Sequence, residues 1–182
     1  MAGSPPDAAA LYQAALDHMA RYAATEAGLA RVLARRVERW GRQQGADAAA
    51  DEIARAMRRA KAEIPAILAR LRELGVLNDE AFAASRARRL TREGKSRRAT
   101  LAHLAAKGVR APALPDDPDR ELAAACAYLR RRRAGPFGDA PTDKILAAMA
   151  RGGFTQAVAR QALRLTRDEA EALIKNLSAP AP

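Results

Sequence analysis

The chain is poor in cysteine, in aromatic residues and in long apolar runs. Its 182 residues include one Cys, one Trp, three Phe and three Tyr. A single cysteine, Cys126, excludes an internal disulfide framework and a zinc site with two or more thiolates, and we expect it to be buried as a small apolar group. No run of about 18 apolar residues exists to span a bilayer, and the first ten residues lack the charged-then-apolar layout of a secretory signal. We therefore expect a cytoplasmic protein that does not bind membranes.

Motifs for catalysis are equally scarce. The sequence has no Walker-type phosphate loop, and no serine or cysteine stands near a convincing general base. The two histidines, His18 and His103, lack the spacing of metal ligands, so we expect both to be partly exposed helix residues. Three aspartates at 116, 117 and 119 resemble a cation cluster but lack the glycine and distal glutamate of a calcium loop. The sequence therefore predicts no enzyme, no metal site and no cofactor.

Alanine, leucine and arginine dominate the remaining composition. This is the composition of helices rather than of a pleated sheet, so the sequence predicts an all-α fold. The formal net charge is +11, from 32 basic and 21 acidic residues. Residues 78–111 alone hold nine basic and three acidic residues, which is +6 of that excess. A charge of this size favours a polyanion or an acidic protein surface as partner.

A helix that ends at a glycine followed by Val or Phe occurs three times. The three endings are LGV at 74–76, KGV at 107–109 and GGF at 152–154. Glycine can take the left-handed conformation that closes a helix, and we expect the Val or Phe after it to pack back on that helix. Because short helices bury their apolar faces only when stacked, the pattern predicts an elongated array of three tandem three-helix, helix-turn-helix-like repeats.

The predicted boundaries follow from caps and breaks. The clearest is Asn78, an N-cap that places Asp79 and Glu80 on the positive end of a helix, with Leu77 and Phe82 at the spacing of a hydrophobic staple. We predict a disordered leader at 1–7, repeat 1 at 8–77, repeat 2 at 78–117 with its third helix short or missing, repeat 3 plus a terminal helix at 118–177, and a disordered tail at 178–182. The predicted helices cover 8–23, 26–40, 48–61, 65–74, 78–92, 96–107, 118–133, 141–151, 155–165 and 168–177. Helical spacing assigns Tyr22 to the apolar face of the first helix and Leu101, Leu104 and Ala105 to the inward face of the helix at 96–107, and Gly41 and Gly45 are expected to end the second helix.

Two groups of basic residues are the candidate binding surface. One spans a helix, a break at Gly94 and the next helix start. The other is the run RRRR at the end of a helix, before AGPFG. Either group can be a phosphate-binding cluster or a solvated basic surface. The negative end of a helix dipole favours the positive charges of the RRRR run in both interpretations. The candidate contact residues are Arg86, Arg89, Lys95, Arg97, Arg98, Arg130, Arg131, Arg132 and Arg133.

The helices at 78–92 and 96–107 also permit a different interpretation. They resemble a helix-turn-helix whose second helix enters a major groove, as in a DNA-binding transcriptional regulator. That alternative is weaker because the second helix lacks Asn, Gln or Arg at its base-reading positions. Those positions hold Ala99, Thr100, Ala102 and His103. A third alternative is a scaffold for another acidic protein.

The order and spacing of five segments resemble the RecX family, the regulators of the RecA recombinase, in its alphaproteobacterial branch. Between Leu11 and Leu165 these segments read ALDHMARYAATEAGLARVLARRV, LRELGVLNDEAFAASRARRL, GKSRRATLAHLAAKGV, YLRRRRAGPFG and KILAAMARGGFTQAVARQAL. Each segment combines helix-ending residues with basic residues. The specific signal is the order in which the five segments follow one another. The chain departs from the family at residues 110–119, where the third helix of the second repeat is usually longer.

The resemblance implies three tandem three-helix units and an elongated shape. It also implies binding along the groove of RecA filaments on single-stranded DNA, with lower strand exchange, ATP hydrolysis and co-protease activity. It brings no catalytic residues, and its only site-level implication is the basic positions at Arg86, Arg89, Arg97, Arg98 and the run 130–133. We expect a monomer, and direct contact with single- or double-stranded DNA remains an open alternative.

Overall fold

A computed structural model describes residues 4–44, 50–109 and 114–177. Within these residues the chain forms ten α-helices and one short antiparallel hairpin, which confirms the all-α class. The helices are α1 (Ala8–Met19), α2 (Glu26–Arg42), α3 (Ala50–Ala62), α4 (Ile64–Glu73), α5 (Asp79–Arg92), α6 (Arg97–Ala106), α7 (Pro118–Arg132), α8 (Thr142–Arg151), α9 (Gln156–Arg164) and α10 (Arg167–Asn176), and the hairpin strands are β1 (Ala134–Gly135) and β2 (Gly138–Asp139).

Every predicted helix is present, with its ends shifted by a few residues. The described residues between α6 and α7, 107–109 and 114–117, contain no helix, and the third helix of repeat 2 remains a prediction because residues 110–113 lie outside the described residues. The predicted tail, the first three residues of the predicted leader and the helix end predicted at Gly45 lie outside the described residues. Asp7, assigned to the leader, is the N-cap of α1, because its Oδ1 accepts a 2.8 Å hydrogen bond from the Ala10 N–H.

Contacts within the chain define two compact units. Unit 1 comprises Met1–Phe82 with Lys107–Val109, and unit 2 comprises Ala83–Ala106 with Arg110–Pro182. The three repeat boundaries and the elongated shape therefore remain predictions. In unit 1, α2 places Leu29, Leu33 and Val37 one helical turn apart on a single stripe, and all three are fully buried. Such a stripe on one face is what holds a helix against its neighbours.

Unit 2 is centred on α7. Residues Leu122 to Ala127 of that helix are all buried, and α9 and α10 pack against it. Small side chains in this run let the neighbouring helices approach closely on several sides, as a helix buried all round requires. Cys126 lies in the run with no exposed surface, which confirms its prediction as a buried small residue. Burial raises the pKa of its thiol to about 11, so the thiolate form that would be reactive is scarce at neutral pH.

The predicted helix boundaries rest on the expected caps. The Ala81 N–H donates to Asn78 Oδ1 at 2.8 Å, which confirms Asn78 as an N-cap. Gly75, Gly108 and Gly153 have the left-handed φ angles of +69°, +88° and +87° predicted for the three glycine endings, whereas Gly152 keeps a helical φ of −71°.

Of the residues after those glycines, Val109 and Phe154 are buried, whereas Val76 is 51% exposed and Leu77 is buried in its place. The N–H groups of both Val76 and Leu77 return to the Leu71 carbonyl. After Gly75 the chain therefore runs one residue further than predicted before a side chain, that of Leu77, points into the core.

Gly41 is the last residue but one of α2, which ends at Arg42. Two further expectations from helical spacing are wrong. Tyr22, assigned to the apolar face of the first helix, lies beyond the end of α1 and is 58% exposed. In α6 the inward residues are Thr100 and Leu104, while Ala105 is exposed. Each error is a shift of the helix end or of the buried face, which is set by neighbouring helices rather than by local periodicity.

Across the three described stretches of the chain, no helix has both the length and the apolar character needed to cross a bilayer.

Candidate functional site

A cleft in unit 2 brings together members of both predicted basic groups. It lies where the turn between α5 and α6 meets the last turn of α7, and its volume is about 330 Å³. Lysine and arginine side chains from two parts of the sequence line it, together with one tyrosine and one glutamate. The lining residues are Glu93, Gly94, Lys95, Tyr128, Arg131 and Arg132. We refer to this site as the basic cleft.

Gly94 is what allows the two elements to meet. It has a φ of +75°, and a Cβ placed on it would lie 2.6 Å from the main-chain nitrogen of Tyr128 and 2.8 Å from its Cα. Only glycine fits where one backbone approaches another this closely. The turn therefore rests directly on α7, and Lys95 joins Arg131 and Arg132 in the cleft. The sequence identified Gly94 as a helix break but contained no signal of this contact.

Two arginines of the cleft are held in place by neighbours. Arg131 donates from Nη1 to the main-chain oxygen of Glu93 at 2.6 Å. The Arg132 guanidinium carbon lies 5.0 Å from the centroid of the Tyr128 ring, a cation–π arrangement. Arg133 ends α7 in the left-handed conformation, with a φ of +51°. The run Arg130 to Arg133 thus lies at the negative end of the α7 dipole, as predicted.

Glu93, the acidic side chain among the described residues that line the cleft, is paired with an arginine. Arg89 Nε lies 2.8 Å from Glu93 Oε1, one helical turn apart. The hydrogen bond from Arg89 lowers the pKa of Glu93, and the charges of Arg86 and Arg131 lower it further. Glu93 is therefore ionised at neutral pH and offsets Arg89. Lys95, Arg131 and Arg132 leave the cleft with a net positive charge.

The structure places the other predicted residues elsewhere in unit 2. Arg86 donates from Nε to His103 Nε2 at 3.1 Å, between α5 and α6. Arg98 is exposed, and a Cβ placed on Gly153 would lie 3.3 Å from the Arg98 Cβ. Arg130 and Arg133 are exposed beside the cleft residues in sequence but do not line the cleft.

Arg97 is half-buried, and its guanidinium is bonded within the unit. Its Nη2 donates to the Leu114 carbonyl at 2.9 Å, and its Nε lies 3.2 Å from the Pro115 carbonyl. Its main-chain N–H donates to Glu121 Oε2 at 2.8 Å. These bonds tie the start of α6 to the segment before α7 and to α7 itself. The guanidinium that the sequence selected as a partner contact therefore has a structural position.

Glu121 is the acidic end of this arrangement. Its carboxylate accepts the Arg97 N–H at the start of α6, a position where negative charge is favourable. Burial raises the pKa of Glu121 and the negative charge of Asp116 raises it further, while the bond from Arg97 opposes both. The net result is that the pKa of Glu121 is higher in the folded protein than in the unfolded chain.

Glu121→Gln should change how folding stability depends on pH. A raised pKa means that the stabilising contribution of Glu121 is fully present below its unfolded pKa and is lost as pH rises through its folded pKa. Glutamine keeps an oxygen for the Arg97 N–H and does not ionise. We therefore expect the variant to have a higher free energy of unfolding than the parent at pH 7, and the difference to shrink towards pH 4, in urea unfolding followed by circular dichroism.

Glu169→Gln is the matched control, with the opposite sign. Hydrogen bonds from the Thr166 main chain and side chain lower the pKa of Glu169. Its contribution is therefore present above the unfolded pKa and is lost as pH falls through the folded pKa, so this variant should be the less stable one at pH 7. Parallel pH curves for the parent and E121Q would contradict the account of Glu121.

The described residues contain no group of three or more His, Cys, Asp and Glu side chains placed to hold a metal. The helices and the basic cleft define a basic, all-α protein. No family model matches the sequence, and no solved structure matches it. It is similar to the "Regulatory protein RecX" of Myxococcus xanthus (strain DK1622), with 35% identity over 165 residues that cover 84% of this chain and 83% of the relative. The chain belongs to the RecX family of regulatory proteins.

Proposed function

We propose that this chain regulates the RecA recombinase by binding the RecA filament on single-stranded DNA. Binding would inhibit the recombinase, ATPase and co-protease activities of RecA, and so restrain recombinational DNA repair and the SOS response. Family membership supports RecA as the target. The observation that supports a contact site is the convergence of Lys95, Arg131 and Arg132 in one cleft. We further propose that the protein acts as a monomer in the cytoplasm.

The cleft has the chemistry that a nucleoprotein filament would engage. Such a filament presents phosphates from its DNA and carboxylates from its protein. A guanidinium binds either group through two parallel hydrogen bonds, whereas lysine acts as a compact point charge. Because the contact to the Tyr128 ring orients Arg132 before binding, less side-chain freedom is lost when the partner arrives.

The test removes charge from the cleft without disturbing its framework. Arg131 is kept because it bonds to the Glu93 carbonyl, and the double variant K95A/R132A is assayed for inhibition of RecA ATPase on single-stranded DNA. Two charged contacts of about 1 kcal/mol each predict roughly a 30-fold rise in the concentration for half-inhibition. K144A/K175A, which removes the same charge from exposed positions of unit 2 outside the cleft, should inhibit like the parent.

The possible outcomes separate the site from the function. Equal inhibition by the parent and the cleft variant would exclude the cleft as the contact. If the parent itself leaves RecA ATPase unchanged at every concentration, the proposed function is wrong. A regulator of the helix-turn-helix type would instead discriminate among duplex sequences by about 10³-fold or more in a gel-shift panel. Burial of Thr100, one of the base-reading positions of that alternative, weighs against it.

A further inference from the structure

Unit 2 contains a second, larger depression that none of the sequence-selected residues lines. It lies between the β1–β2 hairpin, the start of α8 and one face of α9, and its volume is about 730 Å³. Its lining combines arginines with aliphatic side chains. The residues that matter here are Asp139, Thr142, Leu146, Arg160, Leu163 and Arg164. We refer to it as the α8–α9 groove.

The groove has two available positive charges. Arg160 and Arg164 are one turn apart on α9, so their side chains lie on the same face of that helix, and both are exposed. Within the described residues neither arginine forms an ion pair, and Asp139 at the rim pairs with neither of them. Two guanidinium groups are therefore free to bind carboxylates from another molecule.

The start of α8 adds to the positive potential. Its N-cap position is occupied by Pro141, which forms no side-chain hydrogen bond to the helix. The first-turn N–H groups of a helix have no partner within the helix and carry the positive end of its dipole. Thr142, the first residue of α8, lines the groove. The groove thus combines two arginines with a helix end that favours negative charge.

The apolar part of the lining distinguishes between possible anionic partners. Leu146 and Leu163 are half-buried and line the groove. An aliphatic side chain of a peptide would pack against them. Single-stranded nucleic acids are typically bound on aromatic faces that stack their bases, and among the residues that the structure describes no aromatic side chain lines this groove. Asp139 at the rim also opposes an unbroken row of phosphates.

We propose that the α8–α9 groove binds a short acidic peptide segment of a protein partner. Carboxylates of the segment bind Arg160 and Arg164, and an aliphatic side chain between them packs on Leu146 and Leu163. This inference goes beyond the proposed function, because it requires neither RecA nor the basic cleft.

The experiment measures binding of a designed probe to the full chain. The probe is a fluorescein-labelled eight-residue peptide of Asp and Glu with two central leucines, followed by fluorescence anisotropy. R160A/R164A should weaken its affinity about tenfold, as expected for the loss of two charged contacts at a partly exposed site. R151A/K175A removes the same charge outside the groove and should leave the affinity unchanged. Replacing the two leucines of the probe by serine should weaken binding several-fold.

Four results of the peptide titrations would overturn the proposal. These are no measurable binding of the probe, an affinity that R160A/R164A leaves intact, an equal loss in R151A/K175A, and equal binding of the serine-substituted probe. A labelled oligothymidylate tested in parallel should show no dependence on Arg160 and Arg164. If it does, the groove is a nucleic-acid surface and the peptide proposal fails. Circular dichroism of each variant verifies that the helices are intact.

Discussion

Replacing Gly94 by alanine is expected to lower the free energy of unfolding by about 3 to 4 kcal/mol. A left-handed conformation costs a residue with a Cβ roughly 1 to 2 kcal/mol, and overpacking typically costs about 1 to 3 kcal/mol more. The overpacking should be severe here, because the new Cβ would meet the backbone of Tyr128 at 2.6 Å, and backbone cannot rotate away as a side chain can. The measurement is urea unfolding followed by circular dichroism.

Gly75→Ala provides the matched control. Gly75 has nearly the same φ angle as Gly94, +69° against +75°, but a Cβ placed on it has nothing within 4 Å. This variant should therefore lose only the backbone contribution of about 1 to 2 kcal/mol. If the two alanine variants lose equal stability, the close approach of the α5–α6 turn to α7 is wrong. If they differ as expected, G94A should also lose the RecA inhibition that we propose for this chain, because the turn that carries Lys95 is displaced.

Arg97→Ala is expected to destabilise the protein by about 2 to 3 kcal/mol. The guanidinium donates to the carbonyls of Leu114 and Pro115, and hydrogen bonds to charged groups contribute about 1.5 to 3 kcal/mol. Without the arginine, the segment before α7 loses its attachment to the start of α6. Urea unfolding measures the loss, and hydrogen exchange of the first-turn amides of α7 locates it.

The neighbouring Arg98 is the natural control for this prediction. It carries the same charge and lies on the same helix, but its side chain is exposed. Surface substitutions usually change the free energy of unfolding by less than about 0.5 kcal/mol. R98A should therefore unfold like the parent. Equal unfolding of R97A and the parent would show that the bonds of Arg97 contribute nothing measurable. If R97A is destabilised, a loss of the proposed RecA inhibition in this variant is compared with its loss of stability before it is attributed to a missing contact.

Local chemistry explains why the helices were predictable. Asn78 and Thr166 cap helices through bonds to residues three positions along the chain, and Gly75 and Gly153 close helices through their own φ angles. Such features depend on neighbours in sequence. The errors fall on positions whose burial local spacing does not fix, as in α6, where Thr100 is buried and Ala105 is exposed.

The candidate site was predictable only as a set of residue types. The sequence identified both basic groups but could not sort their members. Lys95 and Arg132 reach one cleft, whereas Arg97 bonds to main-chain carbonyls seventeen and eighteen residues away. The residues around an arginine in the sequence do not show whether its guanidinium faces solvent or bonds to other parts of the protein. The groove around Arg160 and Arg164 gave no signal at all, since its lining comes from a hairpin and two helices.

The sequence by itself determined the all-α class, the order and approximate positions of the helices, the burial of Cys126 and the excess of positive charge. Helical periodicity, capping residues and charge depend on each residue and its near neighbours in the sequence, so the sequence alone is enough to identify them. Only the tertiary structure decided which cations face a common cleft and which are used internally. That choice depends on the missing Cβ of Gly94, which lets the α5–α6 turn rest on α7, and such a contact exists only after distant segments have packed together.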